Sequence, residues 1–304
     1  MEQEGSPWLY FGGCDVARGG SFSKGTGTPG ISVMQSGDDF AFGTLRILSP
    51  EGAFRPGDFG ADPRRMQLVH MARKTGMDAA QMSALIHGLD RIFNYQFILM
   101  DPRGGGLFVR DELRKSMQTT GGTTFPTTPI ITASDQQLAG LGKKTLVFFD
   151  RGESRFKEAG LTFPSESSLV NKAHDVLKTA IEKQEVVAPP TWSGWPAGGA
   201  MFGNVDQMRR WLNNQQGIIP RDRANAEIDL ALLQLVQIER ETDAEGNPAL
   251  DKFGMFSFTS KRKKDSAYAL LYGHFAVWLW RQIYQLQGQM GPVDQEMAID
   301  SESA

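Results

Sequence analysis

Two apolar segments of this chain end in the same way, and that repetition limits the folds open to it more than any other feature. The first segment reaches Asp15 shortly before a glycine-rich turn, and the second reaches Asp101 before another. A third aspartate, Asp265, opens a long stretch with helical spacing. Carboxylates at the ends of neighbouring strands, joined by one from a helix end, can hold divalent cations through oxygen ligands. The pattern therefore predicts an acidic, metal-binding pocket suited to phosphodiester hydrolysis.

Each of these aspartates also has a purely structural interpretation. Asp265 could cap its helix, and Asp15 and Asp101 could be turn residues that precede glycine or proline. The repeated combination of an apolar strand, a terminal aspartate and a glycine cluster favours the metal site. Asp150 ends another predicted strand, but the charged residues after it are typical of a turn, so we leave Asp150 outside the predicted site.

The charge balance bears on which ligands the chain can hold by itself. The formal net charge is -3 and the sequence pI is about 5.9. A free-standing nucleic-acid-binding protein would carry more Lys and Arg, since phosphate contacts need them. A run of four basic residues at 261–264 lies directly before Asp265. This run could contact a phosphate or the nearby carboxylates, or it could be a solvated turn.

Length and cysteine content suggest the setting and the domain organisation. The single Cys14 excludes an internal disulfide, and the sequence contains no signal-like or membrane-spanning apolar run, so we expect a reducing, cytoplasmic environment. A chain of 304 residues could form two domains. Because the predicted site draws on both ends of the chain, we expect one domain with a large insertion.

Hydrophobic periodicity predicts an α/β chain with a strand-rich first half and a mostly helical second half. Residues 77–94 have apolar side chains at helical spacing, and Asp78 is placed to cap the start. The first three predicted strands form an antiparallel meander. The predicted strands are residues 8–16, 30–35, 40–48, 97–100, 145–150 and 253–258, and the predicted helices are residues 77–94, 107–117, 167–184, 205–214, 223–241 and 263–287.

The spacing of residues within a strand or helix predicts which neighbouring side chains lie on the same face as the acids. Cys14 and Asp15 point to opposite faces of a regular strand, so we predict that Cys14 belongs to the core. His274 falls on the side of the last helix opposite Asp265 and is not predicted to be a ligand or a base. The helix face that includes Asp265 carries two small residues, which would let it lie close to a sheet: Asp265, Ala269, Tyr272 and Ala276.

Residues 188–199 are too rich in proline and glycine for regular structure and are predicted to form a surface excursion. The segment contains Trp192 and Trp195. Their rings could stack on nucleic-acid bases, but local packing is the interpretation we favour because aromatic side chains more often serve cores.

The ordered set of motifs resembles the nuclease domain of the large terminase subunit of tailed bacteriophages, which has a ribonuclease H-like fold. The motifs are DVARGG at residues 15–20, DPRGGG at residues 101–106, AEIDLALLQL at residues 226–235 and KKDSAYAL at residues 263–270. The resemblance covers about residues 8–287. Ser266 follows Asp265 where many relatives carry a second acid, so the resemblance identifies no fourth metal ligand.

The resemblance implies specific roles for three aspartates, and the basic run before Asp265 suggests a role for a lysine. Asp15, Asp101 and Asp265 are expected to be the catalytic residues and to bind two Mg²⁺ or Mn²⁺ ions, with Asp15 shared between the ions. Lys263 or Lys264 is expected to contact DNA and to neutralise charge on the phosphate. Because such a site acts on the DNA backbone, little sequence specificity is expected from it.

The resemblance also implies a fold and a division of the chain. The expected fold is an α/β, ribonuclease H-like mixed sheet of about five or more strands flanked by helices, with a largely helical insertion before the last catalytic helix. Residues 1–7 are expected to be the remnant of a linker, and residues 8–288 the nuclease domain, with insertion and peripheral helices at about 151–250. Residues 289–304 are expected to form a flexible tail.

The implied function is a metal-dependent endonuclease that cuts concatemeric double-stranded DNA into genome lengths in the host bacterial cytoplasm. Its expected partners are a terminase ATPase domain, the small terminase subunit and the portal protein, with no membrane. The chain has no P-loop of its own, since the nearest candidate has Gln137 in place of the first glycine and Lys144 in place of Ser or Thr. The alternatives are a Holliday-junction resolvase or transposase of the same fold, and a non-catalytic phage assembly protein.

Overall fold

The structure, a computed structural model, describes residues 8–16, 39–48, 65–101, 105–132, 143–148, 169–196, 205–238, 241–242, 244–247 and 265–289. The strands are β1 Trp8–Asp15, β2 Asp39–Leu48, β3 Met66–Thr75, β4 Phe97–Met100, β5 Met117–Thr120, β6 Thr123–Pro126, β7 Ile130–Thr132, β8 Lys143–Phe148 and β9 Val186–Val187. The helices are α1 Ala79–Phe93, α2 Gly106–Leu113, α3 Leu169–Glu182, α4 Val205–Asn214, α5 Pro220–Val236 and α6 Asp265–Gln289.

Seven of these strands form one mixed sheet in the order β7-β8-β4-β1-β2-β3-β9. β1, β2 and β3 are an antiparallel meander, and β4, β8 and β7 continue the sheet parallel to β1. The helix α1 makes the crossover from β3 to β4. The elements described between β8 and α6 are α3, β9, α4 and α5, so this part is largely helical. The expected α/β class, with a mixed sheet of more than five strands flanked by helices, is confirmed.

The start of α1 follows the sequence signal. The Asp78 carboxylate accepts a hydrogen bond from the backbone N–H of Gln81 at 2.8 Å, and the Gln81 side-chain oxygen accepts one from the Asp78 backbone N–H at 3.1 Å. This reciprocal capping satisfies two N–H groups that the helix itself leaves without partners. Asn94 ends the helix with a left-handed φ of 51°. The prediction of a helix capped by Asp78 is confirmed.

The two faces of the sheet carry two separate apolar layers. One face packs against α6, which is supported in turn by α3 and α5, and its core includes Phe11, Leu45 and Phe275. The other face packs against α1 and α2. Cys14 is fully buried in this second layer, as predicted from strand alternation. Burial, together with the neighbouring charge of Asp15, raises the pKa of the Cys14 thiol.

The meander differs from the prediction in its third strand. β3 is not among the predicted strands, whereas the predicted strands at residues 30–35 and 253–258 lie outside the described residues. The alternation of β3 is obscured because Arg73 is buried in it and because its pairing with β2 shifts between Thr44 and Leu45. A strand with a buried cation and a bulge does not have the regular pattern by which strands are recognised.

The predicted helix at residues 107–117 ends early, at Leu113, and a hairpin follows it. Thr120 pairs with Thr123 across a two-residue turn formed by Gly121 and Gly122, whose φ angles are 56° and 79°. Two successive positive φ angles are the requirement of a tight hairpin turn, and glycine meets it without strain. The Thr-rich segment after α2, for which no strand was predicted, therefore contains β5 and β6.

The segment that contains two tryptophans is anchored rather than a free excursion. Trp195 is 8% exposed, and its indole N–H donates to the Asp229 carboxylate at 2.7 Å. The same carboxylate oxygen accepts the backbone N–H of Trp192 at 2.9 Å. Both rings pack against Trp211 of α4. The prediction that these tryptophans pack locally is confirmed. The prediction of a surface excursion is wrong for Trp195, which is buried.

The boundaries of the last helices shift by a few residues from those predicted. α5 spans residues 220–236 where 223–241 was predicted, and α6 spans 265–289 where 263–287 was predicted. Pro220 occupies the first turn of α5, where its missing N–H is not needed. Among the described residues, no helix combines the length and the apolar character that a membrane span requires.

Candidate functional site

Asp15 and Asp101 occupy equivalent positions on neighbouring strands. β1 and β4 are parallel, and Cys14 of β1 pairs with Met100 of β4. Asp15 directly follows Cys14 and Asp101 directly follows Met100, so the two aspartates are side by side. Neighbouring strands lie about 4.8 Å apart. Cys14 and Met100 both face α1 and α2. Alternation therefore directs Asp15 to the opposite face, which α6 covers.

The helix α6 lies directly against β1 without intervening side chains. A β-carbon added to Gly13 would overlap the carbonyl oxygen of Ala269 and the backbone nitrogen of Gly273. On the next strand, a β-carbon on Gly43 would be 3.4 Å from that same carbonyl oxygen. Backbone contact on this scale is possible only where both surfaces carry small residues. The prediction that a face with small residues brings this helix close to the sheet agrees with the observed contact.

The direction of α6 brings Asp265 to the end of the sheet where Asp15 lies. Phe11 packs edge-on against Trp280 with ring centroids 5.8 Å apart, whereas Gly13 contacts residues near the start of the helix. The helix therefore runs antiparallel to β1. Gly13 and Ala269 are in contact. From this contact, Asp15 lies two residues further along β1 and Asp265 lies one turn back along α6, and each of these steps covers about 6 Å.

The carboxylate of Asp101 also faces α6. The hydroxyl of Tyr272 donates to its Oδ2 atom at 3.5 Å, and Tyr272 is buried. Tyr272 lies on the same side of the helix as Asp265, two turns later. The fold thus brings the three predicted aspartates to one end and one face of the sheet.

The side chains do not form a closed metal site as they stand. Within the described part of the chain, no group of three or more His, Cys, Asp or Glu side chains is positioned to hold a metal ion. Lys263, Lys264 and Asp150 lie outside the described residues. The roles of Asp15, Asp101 and Asp265 as ligands, and of the two lysines in DNA binding, therefore stay predictions.

A buried cluster of charges lies beside the acids on the same face. The strand register aligns Asp15 with Ala41 and Ala41 with Arg73, so Arg73 is two strands, or about 10 Å, from Asp15. The Arg73 guanidinium donates to Asp39 at 2.7 Å and to Glu227 at 3.1 Å. These contacts join β2, β3 and α5. All three charged side chains are 2% exposed.

Arg209 of α4 is the second cation of this cluster. Its Nη1 atom lies 3.5 Å from Asp39 Oδ2. Burial lowers the pKa of Arg209, as does the positive charge of Arg73, whereas the negative charges of Asp39, Asp265 and Glu227 raise it. The influence of Asp265 means that the cluster and the helix-borne acid are electrostatic neighbours. The helices α4 and α5 therefore contribute charge to the acidic end of the sheet.

His274 does not join the acids. It is 1% exposed, and burial, with the nearby positive charge of Arg281, lowers its pKa to about 3. The imidazole is therefore neutral at physiological pH. It lines a pocket between α3 and α6 together with Lys172 and Trp278, more than two turns along α6 from Asp265. This position agrees with the prediction that His274 is on the other side of the helix.

The comparisons with known proteins give matches in solved structures only. No protein-family model and no curated protein matches the chain. Solved structures similar to it include nuclease domains of large terminase subunits from several phages. The large terminase nuclease of thermophilic phage G20c with bound magnesium has 13% identity and a TM-score of 0.41, over 88% of this chain and 81% of that chain.

Two further structures give the same kind of similarity. The nuclease domain of the large terminase subunit of bacterial virus Sf6 has 13% identity and a TM-score of 0.39, over 88% of this chain and 87% of that one. The large terminase nuclease domain of bacteriophage SPP1 with bound Mn has 11% identity and a TM-score of 0.26, over 87% of this chain and 84% of that one. At such low similarity, roles for individual residues must be argued from the residues of this chain.

Proposed function

We propose that this chain is a metal-dependent DNA endonuclease of a phage DNA-packaging terminase, which cuts concatemeric double-stranded DNA into genome lengths. The observation that supports this most is the convergence of Asp15, Asp101 and Asp265 at one end and one face of the sheet. The packaging context comes from the resemblance of the sequence motifs. It adds an ATPase domain, the small terminase subunit and the portal protein as partners, and the host cytoplasm as the setting.

The proposed donor set fits Mg²⁺ or Mn²⁺ in its chemistry. Three carboxylates offer hard oxygen atoms, which these ions prefer over nitrogen or sulfur. Asp15, Asp101 and Asp265 would hold the ions, two in number as the family resemblance implies. Such ions polarise a phosphodiester and make water a better nucleophile, so no side-chain base is required.

Other residues near the three carboxylates would support the site in different ways. Tyr272 donates to Asp101, which restricts the rotation of that carboxylate. Arg73 fixes β2 and β3 to α5 through two buried ion pairs. Lys263 and Lys264 directly precede Asp265 in the sequence and would contact a phosphate of the DNA.

Cleavage of a supercoiled plasmid tests the proposal. The purified chain is expected to nick and linearise the plasmid with Mn²⁺ or Mg²⁺ and to stop in EDTA. Cleavage that needs zinc or needs no metal would contradict the proposed site. Strand-specific cutting of a four-way junction in preference to linear duplex would indicate a resolvase. An intact, folded chain that cuts no DNA with any of these ions would indicate a non-catalytic assembly protein.

Substitution of the acids tests the assignment residue by residue. Asp15→Asn, Asp101→Asn and Asp265→Asn keep the shape of each side chain but remove its charge, so each is expected to abolish cleavage. Asp15→Asn and Asp101→Asn should fold with an unchanged or slightly higher Tm, because clustered carboxylates repel one another without metal. A turn or cap role predicts the reverse, namely a lower Tm with cleavage retained.

The matched control for these variants is Asp111→Asn. Asp111 is a half-exposed aspartate of α2, on the other side of the sheet, where it pairs with Arg110 at 2.8 Å. Its loss should change neither cleavage nor Tm by a measurable amount, because exposed ion pairs contribute little. Full activity in any of the three test variants removes that residue from the site.

A further inference from the structure

The buried charge cluster beside the acids contains one cation whose hydrogen-bonding capacity is not used within the cluster. Arg73 makes the short contacts to both acids, at 2.7 Å to Asp39 and 3.1 Å to Glu227. Asp39 is further held by the hydroxyl of Thr75 at 2.6 Å. Arg223 approaches Glu227 from the exposed side at 3.5 Å. Asp39 and Glu227 are therefore both paired without Arg209, although the Oε1 atom of Glu227 makes no hydrogen bond within the described residues.

Arg209 is 7% exposed, and only its Nη1 atom approaches an acid of the cluster, at 3.5 Å. Its Nε and Nη2 atoms are buried and make no hydrogen bond within the described residues. A buried guanidinium with unused N–H groups is costly unless another negative charge compensates it. Asp265 is the further carboxylate whose charge acts on Arg209.

The elements that carry these two residues are fixed to each other. The side-chain oxygen of Gln234, near the end of α5, accepts the backbone N–H of Ala267 in the first turn of α6 at 3.1 Å. Arg223 of α5 donates to the carbonyl oxygen of Leu212 in α4 at 2.8 Å. These bonds hold α4, which carries Arg209, and the start of α6, which carries Asp265, against the same helix.

We infer that Arg209 is a positioning residue for Asp265, supplied by the helical insertion to hold the helix-borne carboxylate at the acidic end of the sheet. This role rests on the proposed function, because it is the metal site that requires Asp265 to be held in place. The insertion then takes part in assembling the site rather than being a peripheral addition.

A double-mutant cycle in the metal-free protein tests the pairing. Tm is measured in EDTA for wild type, Arg209→Met, Asp265→Asn and the double variant. Each single change should lower Tm by about 5 °C or more, because it leaves one buried charge uncompensated. The double change should lower Tm by no more than either single change. Additive losses would overturn the inference.

A positioning role also predicts an effect on metal binding that a merely structural ion pair does not. Calorimetric titration with Mn²⁺ alone should give about tenfold weaker binding for Arg209→Met, the effect expected when a partner of a metal ligand is lost. Arg209→Lys keeps the charge and should recover part of the affinity. Unchanged or tighter Mn²⁺ binding in Arg209→Met would overturn the positioning role.

Two controls keep the outcomes separate. Arg210→Met changes the next residue of α4, which is exposed, and should alter neither Tm nor Mn²⁺ affinity. The cycle requires no cleavage, so it does not depend on the proposed activity. If the chain cuts no DNA, the proposed function is overturned, but the coupling between Arg209 and Asp265 can still be measured. If the chain cuts DNA and the Tm losses of the two single variants add up in the double variant, only the positioning role is overturned.

Discussion

Gly12 and Gly13 are neighbours in β1, yet the two faces of the sheet that they occupy differ in what can move. A β-carbon on Gly13 would overlap backbone atoms of Ala269 and Gly273. A β-carbon on Gly12 would instead approach the far end of the Phe42 ring, at 2.5 Å. The Phe42 side chain can swing aside through its own torsions, but backbone atoms of a helix move only if the helix moves.

The two faces of the sheet also differ in the residues that they carry. The face under α6 carries the three aspartates and the buried charge cluster, and its geometry is fixed by contact between backbones. The face under α1 and α2 is filled by side chains in an ordinary apolar core. We therefore expect changes under α6 to disrupt the site and changes under α1 to reduce stability alone.

The largest effect is expected from Gly13→Ala. The added methyl group overlaps the α6 backbone, so the helix must move away from β1 and carry Asp265 with it. We expect a loss of about 4 kcal/mol or more in the free energy of unfolding, which is exceptional for one methyl group, and loss of cleavage in any molecules that fold. Urea denaturation and Mn²⁺-dependent plasmid nicking measure the two effects. Near-native values for both would contradict the close contact.

The next largest effect is expected from Ile86→Ala on the opposite face. Ile86 of α1 is fully buried in the layer under that helix. Its truncation should cost about 3 kcal/mol through lost burial and the cavity left behind. Cleavage per folded molecule should remain at the wild-type level. A loss of cleavage greater than the loss of folded protein would mean that the two faces are coupled.

A smaller effect is expected from Gly12→Ala, the counterpart of the first change. The new methyl group displaces the Phe42 ring and the side chain of Ile98, which can adjust. We expect a loss of about 2 kcal/mol in the free energy of unfolding with cleavage retained. The comparison of the two alanine variants by the same urea titration is the most direct measure of the difference between the faces. Equal losses would remove the distinction.

The smallest effects on stability are expected from two buried tyrosine hydroxyl groups. Tyr95 bonds to the Thr44 hydroxyl at 2.7 Å on the α1 face, and Tyr272 donates to Asp101 on the α6 face. Tyr95→Phe should cost about 1 kcal/mol and leave cleavage unchanged. Tyr272→Phe should change stability less but reduce cleavage by about tenfold, because it frees a predicted metal ligand. A larger loss of cleavage in Tyr95→Phe than in Tyr272→Phe would contradict the expected difference between the two faces.

The positions of the three acids at the ends of their elements could be predicted because the signal is local. An apolar strand that ends in an aspartate can be recognised from a short segment, and the position of Asp265 at the start of α6 is equally local. The strand register then brings Asp15 and Asp101 side by side. The hairpin after α2 had a local signal too, since Gly121 and Gly122 are flanked by threonines, and it could have been predicted.

The charge cluster could not be predicted in the same way. Asp39, Arg73, Arg209 and Glu227 come from four separate elements, and each alone resembles an ordinary charged residue. Glu227 lies within a motif that carries the family resemblance, but nothing in the sequence pairs it with Arg73, which is 154 positions away. Such pairs are created by tertiary structure, and their burial is visible only once the elements are packed.

The contact between β1 and α6 also limits how the last helix can vary in length. An inserted or deleted residue between Asp265 and Ala269 would rotate the start of the helix by about 100° relative to the part that rests on Gly13. Asp265 would then leave the edge of the sheet even though no residue had been substituted. Insertions and deletions in α6 are therefore compatible with the site only beyond the segment that touches the sheet, after Trp280, where a change of phase no longer reaches the acids.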